Sequence, residues 1–144
     1  MKPYHSSAPQ RLVGRKEELL RLDRWQREAR PYILVVYGRR RVGKTTLIEH
    51  FFDQQRLFKF EGIQPAEPPH GKKDIIEDQK KQLGVAFRQL ARYLETDREK
   101  EIYSQAVVDS WTSFFEVLNE LIGQKKAVLY FEEIQWLASY RGTF

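Results

Sequence analysis

Two short stretches hold the residue types that handle phosphate and water. The first, Gly38-Arg-Arg-Arg-Val-Gly43-Lys44-Thr45, fits the pattern G-x-x-x-x-G-K-[ST]. Gly38 lets the chain leave a strand in a conformation that a Cβ would penalise, and Gly43 lets the backbone close around an anion. Successive N–H groups can then form a nest, to which a following helix adds its free N–H groups and positive dipole end. Lys44 supplies a charge for the outer phosphates, and the Thr45 hydroxyl suits Mg²⁺. The second stretch is Ala127-Val-Leu-Tyr-Phe131-Glu132-Glu133, an apolar run ending in two acids. Glu132 could hold a metal ion and Glu133 could polarise a water molecule. The plainer reading makes both of them first-turn acids of a following helix.

The elements needed to position these groups are legible on either side. "YILVVY" (Tyr32–Tyr37) is a continuous β-branched and aromatic run, which predicts a strand buried on both faces just before the loop. A helix is expected from Lys44 to about Phe52. Before the strand, Leu19, Leu22 and Trp25 recur at helical spacing after Gly14, and Pro31 ends that helix. "RLFKFEG" (Arg56–Gly62) alternates as a second strand does, and "IQPAEPPHGKK" reads as a loop. From Asp74 one helical face carries Ile76, Leu83, Phe87, Leu90 and Leu94. "ETDREKE" reads as a charged break, either a solvated turn or a helix end. A further helix follows Ser110, with Trp111, Phe114, Phe115, Leu118, Leu121 and Ile122 on its apolar face and Gly123 at its end. Helices alternating with strands predict α/β with a parallel sheet. Residues 1–10 are expected to be a flexible tail, and 11–144 part of one domain.

Composition narrows the classes. With 144 residues the chain can bury one real core. It has no cysteine, which rules out a disulfide framework and a thiolate metal site and fits a reducing cytoplasm. His5, His50 and His70 are too scattered to form a metal site. No apolar stretch approaches the length of a membrane span, and the first residues lack the apolar middle of a signal peptide. The net charge of +5 has two readings, a solvated basic surface or attraction to nucleotide or nucleic acid. Arg39, Arg40 and Arg41 likewise either form a solvated cluster or contact a phosphate or an acidic partner. Elsewhere the basic residues are interspersed with acids, as in "RKEELLRLDRWQRE", which disfavours a nucleic-acid face.

The same residues carry a family resemblance over residues 12–142. "LVGRKEEL" looks like the V-G-R-x-x-E-L box that opens many prokaryotic ATPases, and "YGRRRVGKTTLIEHF" resembles their nucleotide loop. "FKFEGIQ" and "VLYFEEIQWLASYRG" are similar to their second strand and Walker B segment. The family is the AAA-like, archaeal-type P-loop ATPases, related to the STAND group. The resemblance implies a three-layer α/β/α domain that uses ATP with Mg²⁺. Gly38, Arg39, Arg40, Arg41, Val42, Gly43, Lys44, Thr45 and Thr46 would bind the triphosphate, and Val13, Gly14 and Arg15 would lie near the adenine. Thr45 and Glu132 would serve Mg²⁺, with Lys44 and Glu133 catalytic. Glu132 stands where that family usually has Asp, one methylene shorter.

In that family the sheet order is fifth, first, fourth, third, second, and the acidic pair ends the third strand. The chain stops at Phe144, before a fourth strand. The expectation is therefore an incomplete domain, with strands one to three present and strands four and five and the lid missing. Either an intact parent hydrolyses ATP, or this chain is a nucleotide-binding or interaction module without turnover. A small-molecule kinase fits less well, because no acceptor pocket or arginine-bearing lid is visible. The resemblance leaves any protein or nucleic-acid partner of the parent open.

Overall fold

The computed structural model describes residues 14–28, 31–65 and 70–137. The expected tail and Val13 lie outside these residues. The chain divides into two compact units, Met1–Arg56 and Leu57–Phe144.

In the first unit, α1 spans Lys16–Arg27. Glu17 and Glu18 in its first turn and Arg24 and Arg27 in its last complement the helix dipole. Helix α2 spans Lys44–Phe51 and packs on α1, with Leu22, Leu47 and Ile48 buried. The Tyr32–Tyr37 run departs from expectation: it belongs to no strand and is largely exposed, Ile33 at 95% and Tyr37 at 90%. Leu34 and Val36 are half-buried, so an every-other-residue pattern persists. The reason is physical. Side-chain type gives a segment strand propensity, but a strand also needs a neighbour to take its backbone N–H and C=O groups. None of the described residues pairs with this run.

The second unit is built on two parallel strands, β1 (Leu57–Glu61) and β2 (Val128–Glu132). Their register sets Lys59 opposite Tyr130, Phe60 opposite Phe131 and Glu61 opposite Glu132. Alternation along β1 sends Phe58 and Phe60 into the core and leaves Lys59 and Glu61 on the other face. Helix α3 (Lys72–Leu90) covers the sheet and continues into a 3-10 turn, Ala91–Tyr93. It contributes Leu83, Ala86 and Leu90 to the core. The expected face holds for Leu83, Phe87 and Leu90, whereas Ile76 near the helix start is exposed.

The stretch "ETDREKE" (Glu95–Glu101), expected to be a solvated turn or a helix end, instead leads into a helix, α4 (Asp97–Gln105). Thr96 and Glu99 make a reciprocal capping box, which satisfies the first free N–H groups and explains why the Glu99 carboxylate is buried. Helix α5 (Trp111–Ile122) starts with a second box, Ser110 with Ser113, and ends at Gly123 with φ 59°. Its Phe114, Leu118 and Leu121 close the core, with Phe114 edge-on to Phe60 at 5.3 Å. A short helix, α6 (Ile134–Leu137), follows β2.

The outer edge of β1 is sealed by side chains. The Tyr93 hydroxyl accepts from the Lys59 N–H at 2.9 Å and donates to the Lys59 carbonyl at 3.1 Å. Gln89 serves Glu61 in the same double way, and the buried Gln82 serves Ile63. Three residues projecting from one helix and its terminal turn thus replace a neighbouring strand. An edge sealed in this way cannot template pairing with another chain.

Candidate nucleotide site

The loop from Gly38 to Lys44 turns through three left-handed residues: Gly38 at φ 150°, Arg41 at 64° and Gly43 at 80°. A Cβ at Gly38 would meet only ordinary contacts, and one at Gly43 would meet nothing within 4 Å. Conformation, rather than space, therefore demands glycine at both positions. Arg41 adopts the left-handed region with a side chain, at a cost of roughly 1–2 kcal/mol. Gly43 is the N-cap of α2 and offers no side-chain oxygen, so the helix's first N–H groups have no side-chain cap. The Lys44 ammonium folds back to donate to the Gly38 carbonyl at 3.0 Å and the Arg39 carbonyl at 2.9 Å. Arg39, Arg40 and Arg41 are exposed, while Thr45 and Thr46 are half-buried in the first turn of α2. Together these groups offer an anion cationic charge and oriented N–H donors.

Arg15 joins the loop, a link sequence reasoning did not foresee. Gly14, at φ 80°, turns the chain into α1, and the Arg15 carbonyl accepts the first helical bond from the Leu19 N–H. The Arg15 guanidinium pairs with Glu18 at 2.7 Å and donates to the Val42 carbonyl. The Arg15 hydrogen bond holds the Glu18 carboxyl below its ordinary value of 4.5.

The acidic pair belongs to the second unit. Glu132 ends β2, and its carboxylate forms an ion pair with the Lys59 ammonium at 2.8 Å, both side chains being mostly buried. Lys59 also lies 5.8 Å over the Tyr130 ring, so the ammonium is held on two sides. Glu61 stands opposite Glu132 in the strand register. Glu133 has left the strand in a left-handed conformation, φ 52°, and its side chain accepts from the Gln135 amide. Its carbonyl accepts from the Trp136 N–H, opening α6. Gly62 passes beneath this turn. A Cβ there would lie 2.6 Å from the Glu133 carbonyl oxygen, so only glycine fits.

Gly38 to Thr46 and Arg15 thus gather in the first unit, and Glu132 and Glu133 in the second. Lys59, Glu61 and Gly62 were missed, although the alternation of "RLFKFEG" already separated Lys59 and Glu61 from the two phenylalanines. Taken by themselves, the Thr45 hydroxyl in the first unit and the Glu132 carboxylate in the second are oxygen donors of the type Mg²⁺ takes, and Glu132 already pairs with Lys59. No group of three or more His, Cys, Asp or Glu among the described residues could hold a metal ion. No described helix is long and apolar enough to cross a membrane.

Residues 12–143 match the family described as an ATPase domain predominantly from Archaea. The chain belongs to that family. It is also similar to an uncharacterized ATP-binding protein of Methanocaldococcus jannaschii, 47% identical over 45 residues, covering 31% of this chain and 76% of that protein. No solved structure matches it. For an archaeal ATPase domain, the two-stranded parallel sheet with its surrounding helices is the mixed α/β framework expected.

Proposed function

We propose that this ATPase domain binds the triphosphate of ATP in the Gly38–Thr46 loop and that the intact parent protein hydrolyses it. The observation that carries the reading is the Gly43–Lys44 junction. A left-handed glycine hands the chain to α2 with no side-chain cap, while Lys44 lies across the loop's own carbonyls. An arriving phosphate would exchange those carbonyls for its oxygens as partners of the ammonium, and the α2 N–H groups would add donors. In this reading Thr45 and Glu132 would hold Mg²⁺, which would supply charge neutralisation to the bound triphosphate. Glu133 orients the attacking water and accepts its proton.

The wider reading takes residues 11–144 as part of a three-layer, STAND-related P-loop domain working in the cytoplasm. Tyr32–Tyr37 would then become a strand of the complete sheet, joined by strands four and five and a lid. The sealed outer edge of β1 supports growth of the sheet on the β2 side.

A second reading, nucleotide binding without turnover, is favoured by the acidic pair. Lys59 neutralises Glu132, and Glu133 is tied to Gln135. Calorimetric titration with ATP tests the first claim. Lys44→Ala should lose at least roughly a hundredfold in affinity, as expected when a desolvated charge partner of phosphate is removed. Unchanged affinity would sink the loop assignment. Glu133→Gln then separates the readings: it should keep binding and abolish any turnover that the wild type shows.

A further inference from the structure

Arg15 is held at three points, one through its backbone and two through its side chain. Its own carbonyl starts α1 by accepting from Leu19, its guanidinium is paired with Glu18 at 2.7 Å, and the same guanidinium donates to the Val42 carbonyl. Val42 immediately precedes Gly43, the N-cap of α2. The Val42–Gly43 peptide is trans, so its C=O and N–H point in opposite directions. Fixing the carbonyl toward Arg15 therefore fixes the Gly43 N–H on the opposite side. Glycine at this position has wide conformational freedom, and the peptide could otherwise rotate with little penalty.

We propose that Arg15 is a positioning residue for the phosphate loop, anchoring the Val42 carbonyl so that the Gly43 N–H is aimed at the bound phosphate. This rests on the reading of Gly38–Thr46 as the nucleotide site. It differs from the role the resemblance implied, a place beside the adenine. A residue that acts through the loop backbone affects every ligand that presents phosphates, whatever base it carries. A residue beside the base affects only ligands that have one.

The test compares ATP with inorganic tripolyphosphate, titrated calorimetrically into the wild type, Arg15→Ala, Arg15→Lys and Glu18→Gln. Arg15→Ala should weaken both ligands by the same factor, roughly tenfold for a lost charge-assisted anchor. Arg15→Lys should recover part of the loss, because an ammonium can still donate to the carbonyl but lacks the planar fork that also holds Glu18. Weaker ATP binding with unchanged tripolyphosphate would overturn the proposal in favour of a base contact. Two unchanged affinities would also overturn it. If a thermal melt shows Arg15→Ala unfolded, Glu18→Gln decides: it keeps the guanidinium but removes its brace. A smaller, equal loss for both ligands supports the proposal, and no loss or an ATP-only loss refutes it. Failure of the wild type to bind either ligand would instead refute the nucleotide site itself.

Discussion

The two units solve the problem of order differently. The second is organised around a continuous aromatic and aliphatic core, with Phe60 and Phe114 fully buried. Its helices α4 and α5 begin with reciprocal capping boxes, and its strand edge is closed by Tyr93, Gln89 and Gln82. The first has Leu22, Leu47, Ile48 and Phe52 buried among its described residues and leaves Ile33, Val35 and Tyr37 exposed. Neither of its helices has a side-chain N-cap bond. The Gly38–Thr46 loop, the proposed nucleotide site, sits in this lightly held unit. Mobile ligand-binding segments are generally drawn from the less stable parts of a protein, because they must rearrange. If the loop binds nucleotide as proposed, the loop unit would gain order from that ligand, while the sheet unit is ordered by its own core.

The largest effect should come from the sheet core. Phe114→Ala removes a ring that touches Phe60, Trp111 and Phe115, and should cost about 3–5 kcal/mol in denaturant unfolding. Leu47→Ala in the loop unit should cost less, about 2 kcal/mol, because a looser surrounding can collapse into the space. Equal costs would break the comparison. Thr96→Ala should follow at about 1 kcal/mol, the usual loss for a helix cap. Replacing Lys59 with Met should lower the Mg²⁺ concentration needed for half-maximal ATP binding by about fivefold, since a pair of this kind is worth up to about 1 kcal/mol. An unchanged Mg²⁺ requirement would show that the Lys59 pair does not compete for Glu132.

The smallest effect concerns pH. The folded Glu18 titrates below its unfolded value, so its pairing with Arg15 stabilises fully above the ordinary carboxylate range. That contribution is lost as pH falls through the lowered folded value. The melting difference between the wild type and Glu18→Gln should therefore hold from neutral pH down to that range and shrink in stronger acid. A difference that grew in acid would contradict the pairing.

What was legible in the sequence follows from what local pattern encodes. Helices α1, α2 and α5 and both paired strands were foreseen, because spacing and glycine placement specify them. Tyr32–Tyr37 was expected to be a buried strand, since its residues favour one, but pairing is a property of neighbours that the run itself cannot encode. Helix α4 was misread because charge was weighed above the Thr96–Glu99 capping pattern, which stands in plain sequence order. Long-range side-chain pairs were out of reach. Nothing in the spacing of Arg15 and Val42, or of Lys59 and Glu132, shows that the fold brings them together. The Lys59–Glu132 pair matters most, because it leaves the expected metal acid already neutralised.

The measurement that bears most directly on the account is amide hydrogen exchange with and without ATP and Mg²⁺. The account predicts the greatest new protection at residues 38–48, across the loop and the start of α2, with the core segments 82–90 and 114–121 already slow and little changed. Protection confined to the second unit, or no change at 38–48 under conditions where ATP is shown to bind, would contradict it.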